Sequence, residues 1–111
     1  MKTIELFGKE WYFAFNLAVQ RTFETLTGKD FDLALLAHQE HRINLYISII
    51  LANNEMDETD AKDFTRQFLY ETTFEDLKRI DAMANEVIRA WYNIPSSAKL
   101  ATDNQGEEKN V

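Results

Sequence analysis

The sequence predicts a mainly α-helical fold. Residues 1–95 are expected to form one compact domain of about four helices with an N-terminal β-hairpin docked on them, and residues 96–111 a disordered polar tail. Three observations carry this expectation. A chain of 111 residues accommodates one hydrophobic core rather than two. With 45% apolar residues, 3 Gly and 1 Pro, it is neither low-complexity nor wholly disordered. Apolar residues recur at helical spacings of three and four along most of the chain after residue 17, whereas the opening segment alternates.

Thr3-Ile4-Glu5-Leu6-Phe7 and Trp11-Tyr12-Phe13-Ala14-Phe15 read as strands, with Gly8-Lys9-Glu10 as the turn between them. Alternation places Trp11, Phe13 and Phe15 on one face, opposite Tyr12 and Ala14. A two-stranded ribbon is marginal alone, so this aromatic face is expected to dock onto helices. Asn16 is a good N-cap. The helix behind it, Leu17 to Thr27, carries Val19, Phe23 and Leu26 before Gly28 offers a left-handed stop.

Asp30 or Asp32 can cap the next segment, which reads as helix to Ala52 with residues 37–41 as the place where it can break. Ile43 to Leu51 is apolar on nearly every face and too long for an ordinary strand, so it is expected to be the most enclosed element. The acidic run Glu55 to Asp60 leads into a third helix with Ala61, Phe64 and Phe68 as its buried stripe. Thr72 and Glu75 match a capping box for the last helix, where Leu77, Ile80, Ala84, Val87, Trp91 and Ile94 repeat at helical spacing until Pro95.

Composition also narrows function. The absence of cysteine excludes disulfides, thiolate nucleophiles and cysteine-ligated metals. A net charge of -7 has the wrong sign for phosphate-backbone binding, so nucleic acid is not an expected partner. Met1-Lys2-Thr3-Ile4-Glu5 does not open like a signal peptide, and the apolar runs fall short of the roughly 18 residues of a membrane span. A cytoplasmic protein without membrane contact is the expectation.

His38 and His41 flank Glu40 and share a helical face, a spacing compatible with two metal ligands. A functional metal site needs further placed ligands, so a solvated face is the preferred reading and no metal is expected. Asp57, Glu58, Asp60 and Asp63 crowd together where a helix start gathers acids for its dipole. No phosphate-binding glycine loop, nucleophile elbow or histidine-centred triad can be composed, so neither an enzyme nor a cofactor is expected. The last helix is different. Besides its stripe it carries Met83 on one edge and Phe74, Ile88 and Tyr92 on the other, an apolar arc of about half the circumference where an ordinary surface helix shows little over 100°. These four residues are the expected partner-binding margin.

The opening strand, the turn Gly8-Lys9-Glu10, the aromatic strand, Asn16-Leu17 and then Phe23-Glu24-Thr25-Leu26-Thr27-Gly28-Lys29 resemble the small tail assembly chaperones of long-tailed phages and prophages. The acidic linker, two further helices, late tryptophan and polar tail are similar to the same family in a more generic way. The resemblance implies a non-enzymatic protein of the host cytoplasm, absent from the finished particle, that holds the tape-measure protein soluble while tail tube subunits are recruited. It also implies, in many members, a longer second product made by ribosomal frameshifting. An acidic regulatory or inhibitor module, mimicking nucleic acid through the acids of residues 55–63, is the alternative function. An unpaired hairpin edge also invites pairing with a second copy.

Overall fold

The computed structural model describes residues 1–93. Its two strands, β1 (Lys2–Leu6) and β2 (Lys9–Phe13), pair antiparallel with Leu6 opposite Lys9, Ile4 opposite Trp11 and Lys2 opposite Phe13. The turn is therefore the two residues Phe7 and Gly8, not the expected Gly8-Lys9-Glu10. Both have positive φ, 57° and 76°. That is the pattern of the tight turn whose twist matches the strands. An aromatic residue is an unusual occupant of this conformation. The Phe7 ring stands edge-on to Phe64, at 6.1 Å between centroids, which gives it a tertiary anchor. Trp11, Phe13 and Phe15 turn inward and are buried, as the alternation predicts, and Ile4 and Leu6 of β1 are buried with them.

Helix α1 (Leu17–Thr27) has the expected caps. Asn16 Oδ1 accepts from the Val19 amide at 3.0 Å, and Gly28 ends the helix at φ 73°. A 3-10 helix (Leu33–Ala37) follows, capped by Asp32, before the chain breaks at His38 and enters α2 (Gln39–Asn53). Arg42 spans the break by donating to the Leu36 carbonyl at 2.9 Å. Leu45 to Ile50 are buried without interruption, so α2 is the central element. Ser48, the one polar residue in that run, donates to the Asn44 carbonyl at 2.7 Å.

Helix α3 (Glu58–Glu71) buries Phe64 and Phe68, while Ala61 is half-buried. Helix α4 (Phe74–Tyr92) buries Ile80, Ala84, Val87 and Ile88. Its capping box is Thr73 with Asp76, one residue later than the expected Thr72 and Glu75. Thr72 instead closes α3, its hydroxyl donating back to the Phe68 carbonyl. The last stripe residue, Ile94, and the tail expected over residues 96–111 lie outside the described residues.

Two asparagines at the end of α2 fasten the hairpin. In a two-residue hairpin the pairs alternate between bonded and unbonded, which turns the Tyr12 backbone outward. The Asn54 side chain meets both of those groups, accepting from the Tyr12 amide and donating to its carbonyl, each at 3.0 Å. It thus stands where a third strand would pair. Asn53 donates to the Ala14 carbonyl at 2.8 Å and accepts from Asn16 at 3.1 Å, so the N-cap of α1 belongs to the same network.

Candidate protein-binding surface

The four residues expected to form a binding margin on α4 do not form one. Ile88 is only 1% exposed and belongs to the core, which corrects its expected place at the surface. Met83 is half-buried and packs on the core beside β1. Phe74 and Tyr92 are exposed but stand at opposite ends of the helix, about 27 Å apart at 1.5 Å per residue. Of the wide apolar arc, the fold itself takes up Ile88 and Met83, the latter where α4 lies beside β1, while Phe74 and Tyr92 stay open at separate ends.

Tyr92 belongs to a second feature. With Trp91 it brackets Phe15, at centroid distances of 6.1 and 6.0 Å, and Phe15 in turn touches Phe31 at 5.4 Å. Burial, and then the nearby Asp32 carboxylate, push the Tyr92 hydroxyl above its ordinary pKa. These rings tie the end of α4 to the hairpin exit, leaving Trp91 and Tyr92 partly open.

An open apolar surface lies elsewhere, in a shallow trough of about 420 Å³ between α1, α2 and α3. Leu26 from α1, Leu51 from α2 and Ala61, Thr65, Leu69 and Tyr70 from α3 line it. Leu26, Leu69 and Tyr70 are exposed, Tyr70 by 80%. Glu58, Lys62 and Arg66 complete the lining. Arg66 stands over the Tyr70 ring at 5.9 Å. Among the described residues the ion pairs are Lys2 with Glu86 and Arg79 with Asp76, so neither Lys62 nor Arg66 is paired with a carboxylate.

The helical spacing sets Leu26 in one apolar row with Val19 and Phe23, and the third helix's expected stripe does not include Leu69 or Tyr70. A signal was present. Leu69 follows Phe68 directly, about 100° around the helix and off the Phe64–Phe68 stripe, so a flat two-helix contact could not cover both. What periodicity alone lacks is the knowledge of which neighbour sits on that side.

The histidines keep apart from this surface. His38 is the exposed junction residue. His41 is half-buried, its ring edge-on to Phe23 at 6.5 Å and to His38 at 6.0 Å, with Nδ1 enclosed and unpartnered. Among the described residues no three His, Asp or Glu side chains converge to hold a metal ion. The acids of residues 57–60 serve the start of α3: Asp57 is its N-cap, accepting from the Asp60 amide at 2.7 Å, and Glu58 and Asp60 occupy the first turn. No helix among the described residues is long and apolar enough to cross a membrane. The chain matches no protein-family model, no curated protein and no solved structure.

Proposed function

We propose that this chain is a non-enzymatic assembly chaperone of the tail-assembly type, acting in the host cytoplasm and left out of the finished particle. It covers apolar helical stripes of a tape-measure protein and gives way to tail tube subunits. The observation that carries the reading is the shallow, open apolar trough flanked by the exposed Leu26, Leu69 and Tyr70, a surface against which an apolar helix stripe could be buried. Three apolar anchors set into it would contribute about 5–9 kcal/mol, a gain of the same order as the about 4–15 kcal/mol that association costs. Each contact is accordingly weak and reversible. That suits a protein whose many copies coat one long chain and are later displaced. A net charge of -7 on every copy keeps such a coated chain dispersed.

Of the acids that favour the alternative, an inhibitor mimicking nucleic acid, Asp57 caps α3, Glu58 and Asp60 lie in its first turn, and Lys62 and Arg66 interrupt the run. The test is co-expression of the full chain with the tape-measure protein of the same phage or prophage. The tape-measure protein should move into the soluble fraction and copurify, and adding tail tube protein should release the chaperone. A tape-measure protein that aggregates equally with and without this chain overturns the reading.

A further inference from the structure

We infer that the trough between α1, α2 and α3 is a docking site for an amphipathic helix whose apolar stripe is flanked by Asp or Glu. The inference deepens the proposed function, since it rests on the chain being a helix-binding protein and names the surface and the chemistry of its partner. Shape gives the first half. The α3 wall of the trough runs from Glu58 to Tyr70, about 18 Å at 1.5 Å per residue, which matches three turns of a partner helix and admits anchors at i, i+4 and i+7.

Charge gives the second half. In a chain of net charge -7, the lining of the trough carries Lys62 and Arg66 against the single carboxylate of Glu58, with Asp63 and Glu71 on the adjoining surface beyond Arg66. Neither cation has a carboxylate partner among the described residues. Lys62 and Arg66 are one turn apart on α3, on the same side of the groove. A helix lying in the trough would hold its flanking residues against that pair. Acidic flanks would be attracted and basic flanks repelled, and the guanidinium of Arg66, 5.9 Å from the centre of the Tyr70 ring, carries the forked donors that a carboxylate accepts.

The experiment uses the full chain and two synthetic 14-residue helical peptides with one Leu stripe, flanked by Glu in the first and by Lys in the second. Binding is read by calorimetry and by methyl NMR of Leu26, Leu51 and Leu69. The Glu-flanked peptide should bind at least tenfold more tightly, shift the methyls of those three leucines and weaken as salt is raised. The double substitution Lys62→Glu and Arg66→Glu, at exposed positions, should reverse the preference between peptides. Leu69→Gln should lower affinity for the Glu-flanked peptide at least tenfold without altering the circular dichroism spectrum.

Equal affinity for both peptides, or shifts confined to α4, overturns the inference. So do Leu69 methyl shifts that move with protein concentration alone, which would make a second copy the occupant. A nitroxide on Val111→Cys that broadens those methyls without peptide would put the chain's own residues 94–111 there, and also overturns it. Failure of the trough with the tape-measure protein still solubilised refutes this inference alone; peptide binding in the trough without solubilisation refutes the proposed function alone.

Discussion

Asn54 holds the free edge of β2 with a side chain that imitates a neighbouring strand, and Asn54→Ala should measure what that contact contributes. The substitution removes two bonds of 3.0 Å to the Tyr12 backbone and one of 2.8 Å to the Ile50 carbonyl. The last is local to the end of α2 and readily replaced by water. The first two join residues 42 positions apart. At about 0.5–1.5 kcal/mol net per hydrogen bond, and toward the low end because the site is exposed, their loss should cost about 1–2 kcal/mol. For a domain of this size that lowers Tm by about 5–10 °C.

Urea unfolding followed through Trp11 is a suitable assay. This indole is 8% exposed and donates to the Leu6 carbonyl at 3.0 Å, so in a Trp91→Phe background its emission reports on the docked hairpin. Hydrogen exchange at the Tyr12 amide supplies the local readout. Asn54→Asp, which keeps the acceptor and loses the donor, should fall between the wild type and Asn54→Ala. Stability within about 0.3 kcal/mol of wild type, together with unchanged protection of the Tyr12 amide, would refute the assignment of a fastening role to Asn54.

Ile88→Ala should destabilise the fold by about 2–5 kcal/mol, whereas Phe74→Ser should stay within about 0.5 kcal/mol, and chemical denaturation of the two variants separates core from surface on α4. Gly28→Ala should cost about 1 kcal/mol in the same assay. No atom lies within 4 Å of the added methyl, so the penalty is the left-handed φ of 73° and not a clash. The Asp76 carboxyl is held below its ordinary pKa chiefly by the hydrogen bond from Arg79, against a smaller opposing effect of burial and with help from Thr73. A depressed folded pKa stabilises the fold above the unfolded value of about 3.9 and is lost as pH falls through the folded one. Urea midpoints at pH 3 and pH 7 should accordingly differ more for the wild type than for Asp76→Asn.

Much of this fold is legible from local chemistry. Asn16 and Gly28 bound α1 where the sequence places them, because an N-cap side chain and a left-handed glycine act on their own backbone. The break before α2 falls at His38, within the stretch marked as able to break, and Ile43 to Leu51 lies almost wholly in the enclosed part of the bundle. The Thr73–Asp76 box is displaced by one residue because two adjacent threonines offer the same chemistry, and the one-residue choice depends on where α3 ends.

The candidate site was less legible. Ile88 and Leu69 are both apolar residues in amphipathic helices, yet one is 1% and the other 58% exposed. The sequence by itself determined the hairpin and the helices, the caps of α1 and the inward aromatic face of β2, all of which depend on residues within one or two turns of each other. Only the tertiary structure decided the turn at Phe7-Gly8, where a distant ring on α3 stands against Phe7, and the fastening of β2 by Asn54. It also decided which apolar margin stays open. Each of these depends on which neighbour occupies the far side of a residue, and that neighbour lies dozens of positions away along the chain.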